Sequence, residues 1–196
     1  MVQKLEENFL YLVVLGGKAN NANVELHDVR WVVGSKIEDT FHVLRRDWFG
    51  LIEGLHIDSY KKIKHVDGYT INLKKSEKNK IKNQILVNRK KASKKTLWFV
   101  NVGGYEPNSM QEKHEFGLVV ASSELEAKNL AKSKRLIVCK KKHKDDLSPL
   151  HNLIGCYDCQ VIKNVGNWEI ELSLENNLVE ESNSPDWYGY KKIDYT

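Results

Sequence analysis

The sequence predicts an α+β protein in which one strand-strand-helix-strand-strand module occurs twice, with mostly antiparallel sheets and a pseudo-twofold axis. The first observation is composition, because a chain of 196 residues that is 41% hydrophobic and 9% aromatic can bury a sizeable core. The second is an internal repeat: a shift of 87 positions aligns residues 10–35 with residues 97–122, with ten identical pairs out of 26. The third is that both copies carry the same succession of strand and helix signals.

The repeat also predicts the domain organisation. A second match, offset by 99 positions, aligns residues 63–73 with residues 162–172. The aromatic residues near the end of the chain predict that the tail docks on the rest of the protein. The expected segments are a first copy (residues 9–73), a Lys-rich spacer (74–95), a second copy (96–173) and an acidic, aromatic-ended tail (174–196).

The strands of the first copy follow from residue type and spacing. β-Branched and aromatic residues predict a strand over residues 9–15, ending in a turn at Gly16 and Gly17. A second strand is expected over residues 25–33, with its odd-numbered apolar positions facing the core, because alternate side chains share a face. The second copy repeats both signals.

A helix and a hairpin complete each copy. The pattern Ser-x-x-Glu at residues 35–38 and again at 123–126 predicts a capping box, followed by apolar positions at helical spacing that include Leu125. Asp-Gly at residues 67–68 predicts a two-residue hairpin turn, and Gly-Asn at residues 166–167 occupies the same place in the second copy.

The net charge of +5 conceals an uneven distribution. Residues 74–95 carry ten Lys or Arg against one acid, and residues 132–144 carry seven more and no acid. Basic runs of this kind can hold nucleic acid through phosphate contacts, but neither contains an aromatic residue for base stacking. Solvated linkers are the favoured interpretation.

Composition also narrows the class of protein. The apolar content excludes a disordered chain, and no run approaches the ~18 apolar residues of a membrane-spanning helix. The N-terminal residues are polar, which argues against a signal peptide. Three cysteines point to a reducing compartment, so we expect a soluble cytoplasmic protein.

The most specific chemical pattern is duplicated: two glycines, seven residues, then Glu-x-His-acid. Alternation places the Glu and His of each copy at the end of the stripe expected to face the core. A partly buried carboxylate and imidazole need partners, so they either tie down the glycine loop or line a polar pocket. In a pocket, the histidine would serve as acid or base and the glycine amides would hold an anionic oxygen. The candidate ligand-binding residues are Gly16, Gly17, Glu25, His27 and Asp28 in the first copy and Gly103, Gly104, Glu112, His114 and Glu115 in the second.

These residues resemble a known family. The strand end Val-Leu-Gly-Gly, the Glu-x-His-Asp strand and Leu-His-Ile-Asp at residues 55–58 are similar to domain of unknown function 1543, a bacterial module present in one or two copies per chain. The resemblance covers residues 10–73 closely and 97–172 more loosely, since the second copy has Gly-Cys-Tyr-Asp at residues 155–158. It implies the duplicated architecture and a bacterial cytosolic protein, and it brings no activity, substrate or catalytic residue.

Other signals are weaker. Cys156 and Cys159 precede a predicted strand instead of opening a helix, which favours a structural role over redox chemistry. Their spacing fits no standard zinc motif, and one imidazole per copy is few for a metal site, so no metal or cofactor is expected. No Walker loop, G-x-G-x-x-G, G-x-S-x-G or H-E-x-x-H is present.

Three functions from different classes remain. The first is a binding module whose duplicated glycine and Glu-x-His sites hold a small anionic ligand or a partner's segment. The second is an enzyme that uses His27 and Glu25, or their second-copy equivalents, in proton transfer. The third is nucleic-acid binding through the Lys-rich segments. The sequence favours them in that order and leaves open whether the protein is an enzyme.

Overall fold

The protein is described here by a computed structural model, which covers residues 7–76, 94–104, 108–134, 157–175 and 184–195. These ranges contain three antiparallel sheets and two α-helices, in agreement with the predicted α+β class. The chain divides into two units, one of residues 1–77 with 164–196 and one of residues 78–163. No helix in the described ranges is long and apolar enough to cross a membrane.

Several sequence predictions concern segments outside the described residues. These are most of the Lys-rich spacer, most of the second basic run, and Cys156. The repeat boundaries also remain a prediction, and the hairpin that ends the second copy belongs to the first unit.

The first unit is built on a sheet with the order β11-β3-β1-β2. Gly16 and Gly17 are the last two residues of the inner strand β1, paired on one side with β2, so the turn predicted at these glycines is wrong. The chain stays extended because β2 continues the ladder as far as Gly17. The strands are β1 (Phe9–Gly17), β2 (Leu26–Gly34), β3 (His56–Ile63) and β11 (Trp187–Lys192).

One face of this sheet packs against a helix and forms the core. Tyr11, Val13 and Leu15 of β1 are buried there with Leu44 of α1 (Phe41–Asp47) and Ile57 of β3. Burying large apolar side chains of this kind stabilises the fold by about 1.5–3 kcal/mol each. The core therefore fixes which side of every strand points towards the helix.

The second strand presents the opposite face from the one predicted. Val32, paired with Tyr11, is buried in the core. Since neighbours in a strand alternate, the Glu25–His27 side of β2 faces away from the helix, and the prediction of a core-facing stripe is wrong. Both faces of β2 carry valines, so the pattern of β2 alone does not show which face is buried. The buried residues of its partner β1 determine that face.

The hairpins of the two copies form a second sheet. Its order is β4-β5-β10-β9, and it pairs β5 of the first copy with β10 of the second. Asn72 of the first copy lies opposite Glu171, the residue that corresponds to Asn72 in the second copy at the offset of 99. Exchanging the two copies therefore leaves the register of the pairing unchanged. This sheet therefore has a local pseudo-twofold axis. The strands are β4 (His65–Val66), β5 (Tyr69–Lys75), β9 (Asn164–Val165) and β10 (Trp168–Leu174).

The predicted hairpin turn in the first copy is confirmed. Asp67 and Gly68 have φ angles of 52° and 77°, a region that glycine and short polar residues adopt more readily than other residues.

 Both angles lie in the left-handed region, which a type I′ turn requires at its two central positions. The turn therefore matches the right-handed twist of β4 and β5.

The second unit repeats the first arrangement on a smaller scale. Its sheet has the order β7-β6-β8, and α2 covers one face of it. Val119 of β7 packs there with Ala127 and Ala131 of α2, so the core face again differs from the predicted one, which contained His114. The elements are β6 (Thr96–Gly104), β7 (Lys113–Ala121), β8 (Tyr157–Ile162) and α2 (Glu124–Ser133).

The capping prediction is wrong for the first helix. The chain enters a 3-10 turn (Ile37–Thr40) before α1, and Lys36 is its N-cap. The backbone N–H of Lys36 donates to Asp39 Oδ2 at 3.1 Å, so Asp39 takes the part expected of Glu38. Glu38 instead bonds the Lys191 ammonium, which lowers the pKa of its carboxyl. The tighter turn moves the capping contact by one residue.

The N-cap predicted for the second helix is confirmed, but the Glu126 carboxylate accepts a hydrogen bond from the Ser122 N–H at 2.9 Å instead of completing the box at Ser123. Ser123 is the N-cap of α2, and its Oγ accepts a hydrogen bond from the Glu126 N–H at 3.2 Å. The buried face consists of Ala127 and Ala131, whereas Leu125, which the spacing predicted to be buried, is exposed. A helix with small buried residues lies close to its sheet.

The tail docks on the first sheet, as its aromatic residues predicted. β11 pairs with β3 and forms the edge of the sheet, and Ile193 just beyond β11 is buried in the core. The Ile193 N–H donates to the Leu55 carbonyl at 2.9 Å, and Arg45 donates to the Ile193 carbonyl at 3.1 Å. The Lys192 ammonium lowers the pKa of the buried Asp194 carboxyl beside it.

Replacing Glu126 by Gln should destabilise the second unit in a pH-dependent way. Hydrogen bonds from Lys95 and Ser122 lower the pKa of Glu126 to about 2 from the ordinary 4.5. A depressed pKa stabilises the fold above pH 4.5, and that stabilisation is lost as the pH falls towards 2. Urea denaturation at a series of pH values should show a deficit for Glu126→Gln at neutral pH that disappears near pH 2.

Glu124→Gln is the matched control. Glu124 lies in the same first turn and pairs with Lys128 four residues along. Its replacement should give a smaller deficit with less dependence on pH. A Glu126→Gln deficit that stays constant from neutral to acid pH would contradict the assigned role of the Glu126 carboxylate.

Candidate functional site

A glycine in the inner strand of the first sheet creates the space for the candidate site. Gly16 lies directly opposite His27 on β2 and His56 on β3. Opposed residues in an antiparallel ladder project to the same face, so both imidazoles lie on the Gly16 side, away from the helix. A Cβ added at Gly16 would come within 2.6 Å of His56 Nε2. The missing side chain is therefore what allows the imidazoles to converge.

A bulge in β3 adds a carboxylate between the two histidines. The register of β3 against β1 shifts at Val14 and Leu15, which leaves Asp58 as the extra residue. Bulges of this kind redirect a side chain. Asp58 Oδ1 lies 3.2 Å from His56 Nε2, and Asp58 Oδ2 lies 3.1 Å from His27 Nε2. One carboxylate thus bridges two imidazoles that flank the glycine from the strands on either side of it.

Glu25 supplies a second carboxylate just before β2 begins. Its Oε1 lies 3.1 Å from His56 Nε2. The four side chains of Glu25, His27, His56 and Asp58 are called the polar cluster below. Two acids and two imidazoles arranged around one glycine can accept and donate hydrogen bonds and can pass a proton between them.

His56 is the fixed centre of the polar cluster. Its side chain is 3% exposed, and its Nδ1 lies 2.8 Å from the Gly54 carbonyl, which can only accept a hydrogen bond. Nδ1 therefore carries a hydrogen, while Nε2 faces two carboxyl groups. The Tyr190 ring, from β11, covers the His56 ring with a centroid distance of 4.0 Å.

The rest of the polar cluster is open to solvent. The side chains of His27, Glu25 and Asp58 are 54%, 42% and 30% exposed. An exposed imidazole is thus linked through Asp58 to a buried one. The polar cluster therefore has one covered imidazole, that of His56, and three side chains that solvent can reach.

Two of the sequence-predicted residues of the first copy lie elsewhere. Asp28 is on the helix side of β2, where it pairs with Arg30 and accepts a hydrogen bond from the Val29 N–H. Gly17 also faces the helix side, because an added Cβ would meet the Trp48 ring. The structure therefore brings together Gly16, Glu25 and His27, and it separates them from Gly17 and Asp28.

The second copy reproduces part of the arrangement. Gly103 pairs with His114, as Gly16 does with His27, and an added Cβ at Gly103 would meet Glu112 and His114. Glu112 Oε2 lies 3.6 Å from His114 Nε2. Glu115 pairs with Val102 on the helix side, and Gly104 pairs with Lys113 at the end of the ladder. The position equivalent to His56 falls on Cys156, outside the described residues.

Sequence reasoning missed three contributors: His56, Asp58 and Tyr190. The spacing His-x-Asp at residues 56–58 repeats the two-residue spacing of Glu25 and His27, and this signal could have placed both groups on one strand face. Tyr190 had no such signal, because its position depends on where the tail pairs. Among the described residues, no group of three or more His, Cys, Asp or Glu has an arrangement that could hold a metal ion.

Comparisons with known proteins agree with the duplicated architecture. A family model described as Domain of Unknown Function (DUF1543) matches residues 22–73 and 109–172, one segment in each copy. Among solved structures, the chain is similar to the crystal structure of a protein Il1583 from Idiomarina loihiensis. The two are 33% identical with a TM-score of 0.67, over 95% of this chain and 99% of that chain. No curated protein matches the chain.

Replacing Gly16 by Ala should disturb the polar cluster and destabilise the first unit by about 1–3 kcal/mol, the usual cost of overpacking. The new methyl group would collide with His56 Nε2, and this ring is held by the Gly54 carbonyl and covered by Tyr190. Thermal unfolding measures the loss, and the His56 ring resonances in NMR spectra should move.

Gly103→Ala provides the comparison in the second copy. Its methyl group would meet chiefly the end of the Glu112 side chain, which can rotate away. We expect a smaller loss of stability there. Equal losses at the two glycines would contradict a special constraint at Gly16.

Proposed function

The chain belongs to the DUF1543 family, a domain of unknown function, and from the geometry of its first copy we propose that it is a small-ligand binding module. The observation that carries the proposal is Asp58, whose two oxygens each contact a different histidine. His27 and Glu25 complete the rim, with Gly16 as the floor. The second copy, with Gly103, Glu112 and His114, would hold a simpler version of the same site.

The polar cluster favours a ligand that donates hydrogen bonds. Two carboxylates lie within about 3 Å of the histidines, so the site has more acceptor oxygens than donors. Gly16 is paired with strands on both sides, which argues against glycine amides that hold an anion. We therefore propose a ligand with a primary amine or a similar donor, which complements the carboxylates, in place of the anionic ligand expected from the sequence.

The expected behaviour can be measured by NMR titration with methylamine and 1,4-diaminobutane, with acetate as the anionic probe. The amines should move the resonances of His27 and His56, and acetate should not. Replacing Asp58 by Asn removes its negative charge with little change in shape. It should weaken the response to amines about tenfold, as the loss of a hydrogen bond to a charged group does.

Asp28→Asn is the matched control, because Asp28 is next to His27 in the sequence but lies on the opposite face of β2. It should leave amine binding unchanged. No response to amines at millimolar concentration would contradict the proposal, and a response to acetate alone would overturn the ligand class.

A second candidate function, acid–base catalysis, is favoured by the same carboxylate. Asp58 orients the exposed His27 and links it to the buried His56, as a base is oriented by a neighbouring acid. A hydrolase and isomerase screen of the wild-type protein and His27→Gln separates the two functions. Conversion that is lost in His27→Gln would support an enzyme, whereas amine binding with no conversion would support a binding module.

We also propose, from the cysteine content and the family resemblance, that the protein works in the bacterial cytoplasm. Binding of nucleic acid by the Lys-rich segments remains a third candidate, and those segments lie mostly outside the described residues.

A further inference from the structure

A basic groove lies on the helix side of the first sheet, on the other face from the polar cluster. Its volume is about 730 Å³, within the range of small-molecule pockets. The 3-10 turn forms one wall, the end of β3 forms a second, and the tail residues 184–186 form a third. All of these walls belong to the first unit.

Four lysines line the groove: Lys36, Lys61, Lys62 and Lys64. The Lys61 ammonium donates to the Ser184 carbonyl at 3.0 Å, and the Lys62 ammonium lies 4.0 Å from the centre of the Phe9 ring. These two contacts orient the ammonium groups along the groove. Four positive charges in one concave surface attract an anion.

The two acids that line the groove already have partners. Glu38 bonds the Lys191 ammonium, and Asp186 accepts a hydrogen bond from the Lys62 backbone N–H at 2.6 Å. Asp186 thereby ties the tail to β3. The lining residues carry four positive and two negative formal charges, and one of the negative charges is offset by Lys191.

We propose that this groove binds a phosphorylated small molecule. Several ammonium groups around a cavity of about 730 Å³ match a ligand larger than a single phosphate ion, with a phosphate group that contacts the lysines. The phosphate can be free, as in pyrophosphate, or part of a nucleotide.

The groove is specific to the first copy. At the offset of 99, Lys61 and Lys62 correspond to Gln160 and Val161, and only Lys64 has a lysine counterpart, Lys163. Lys36 corresponds to Ser123 at the shift of 87, so the second copy lacks three of the four positive charges. Lys163 is exposed and serves as a control position.

Isothermal titration calorimetry with inorganic pyrophosphate and with ADP tests the proposal. The wild-type protein should bind at least one of them, and the affinity should fall as the salt concentration rises. The double variant Lys61→Gln/Lys64→Gln should bind about tenfold more weakly, the combined effect of two exposed charge pairs. Lys163→Gln should bind like the wild type. Tighter binding of ADP than of pyrophosphate would identify the ligand as a nucleotide. Equal affinities would show that the groove recognises the phosphate groups alone.

Three results would overturn the proposal. The first is no binding of pyrophosphate or ADP at low salt. The second is equal weakening by Lys163→Gln, which would indicate a general charge effect. The third is binding of a single-stranded oligonucleotide, lost in the double variant, without binding of either small molecule. Circular dichroism of each variant shows that the fold is retained, and the amine titration of the polar cluster is independent of all three results.

Discussion

The missing side chain at Gly16 is the constraint on which the candidate site depends. The inner strand of an antiparallel sheet brings one residue from each neighbouring strand beside every position, and at Gly16 these are His27 and His56. Any larger residue would occupy the space where Asp58 and Glu25 contact the imidazoles. Gly16 thus leaves room for two acids and two imidazoles on the sheet face that points away from the helix. The same pairing of a glycine with a histidine recurs at Gly103 and His114.

The tail contributes to both surfaces of the first sheet. β11 pairs with β3 and brings Tyr190 over the buried His56, while residues 184–186 form a wall of the basic groove. Gly54 connects the start of β3 with the tail: its carbonyl lies beside His56 Nδ1, and its N–H donates to the buried Asp194 at 3.2 Å. Without the tail, β3 would be an open edge of the sheet. The tail covers that edge and contributes Tyr190 to the polar cluster and one wall to the groove.

Much of the fold could be predicted from the sequence, because repeats and hairpin turns are local signals. The duplication, the order of strands and helix within each copy and the Asp67–Gly68 turn required only residue type and spacing. The buried face of β2 could not be predicted in this way, since valines occur on both of its faces and the choice is made by Tyr11 and Leu15 on another strand. The sequence pattern identified Gly16, Glu25 and His27, but the grouping with His56 depends on the register of β3 and its bulge.

The central claim is that one carboxylate connects a buried and an exposed histidine. The most direct test is the ¹³C resonance of the Asp58 side-chain carboxyl, followed by NMR in the wild-type protein and in His27→Gln and His56→Gln. The account predicts that the resonance moves in each variant, because each imidazole contacts a different oxygen of Asp58. A resonance that responds to neither substitution, in variants that remain folded, would contradict it.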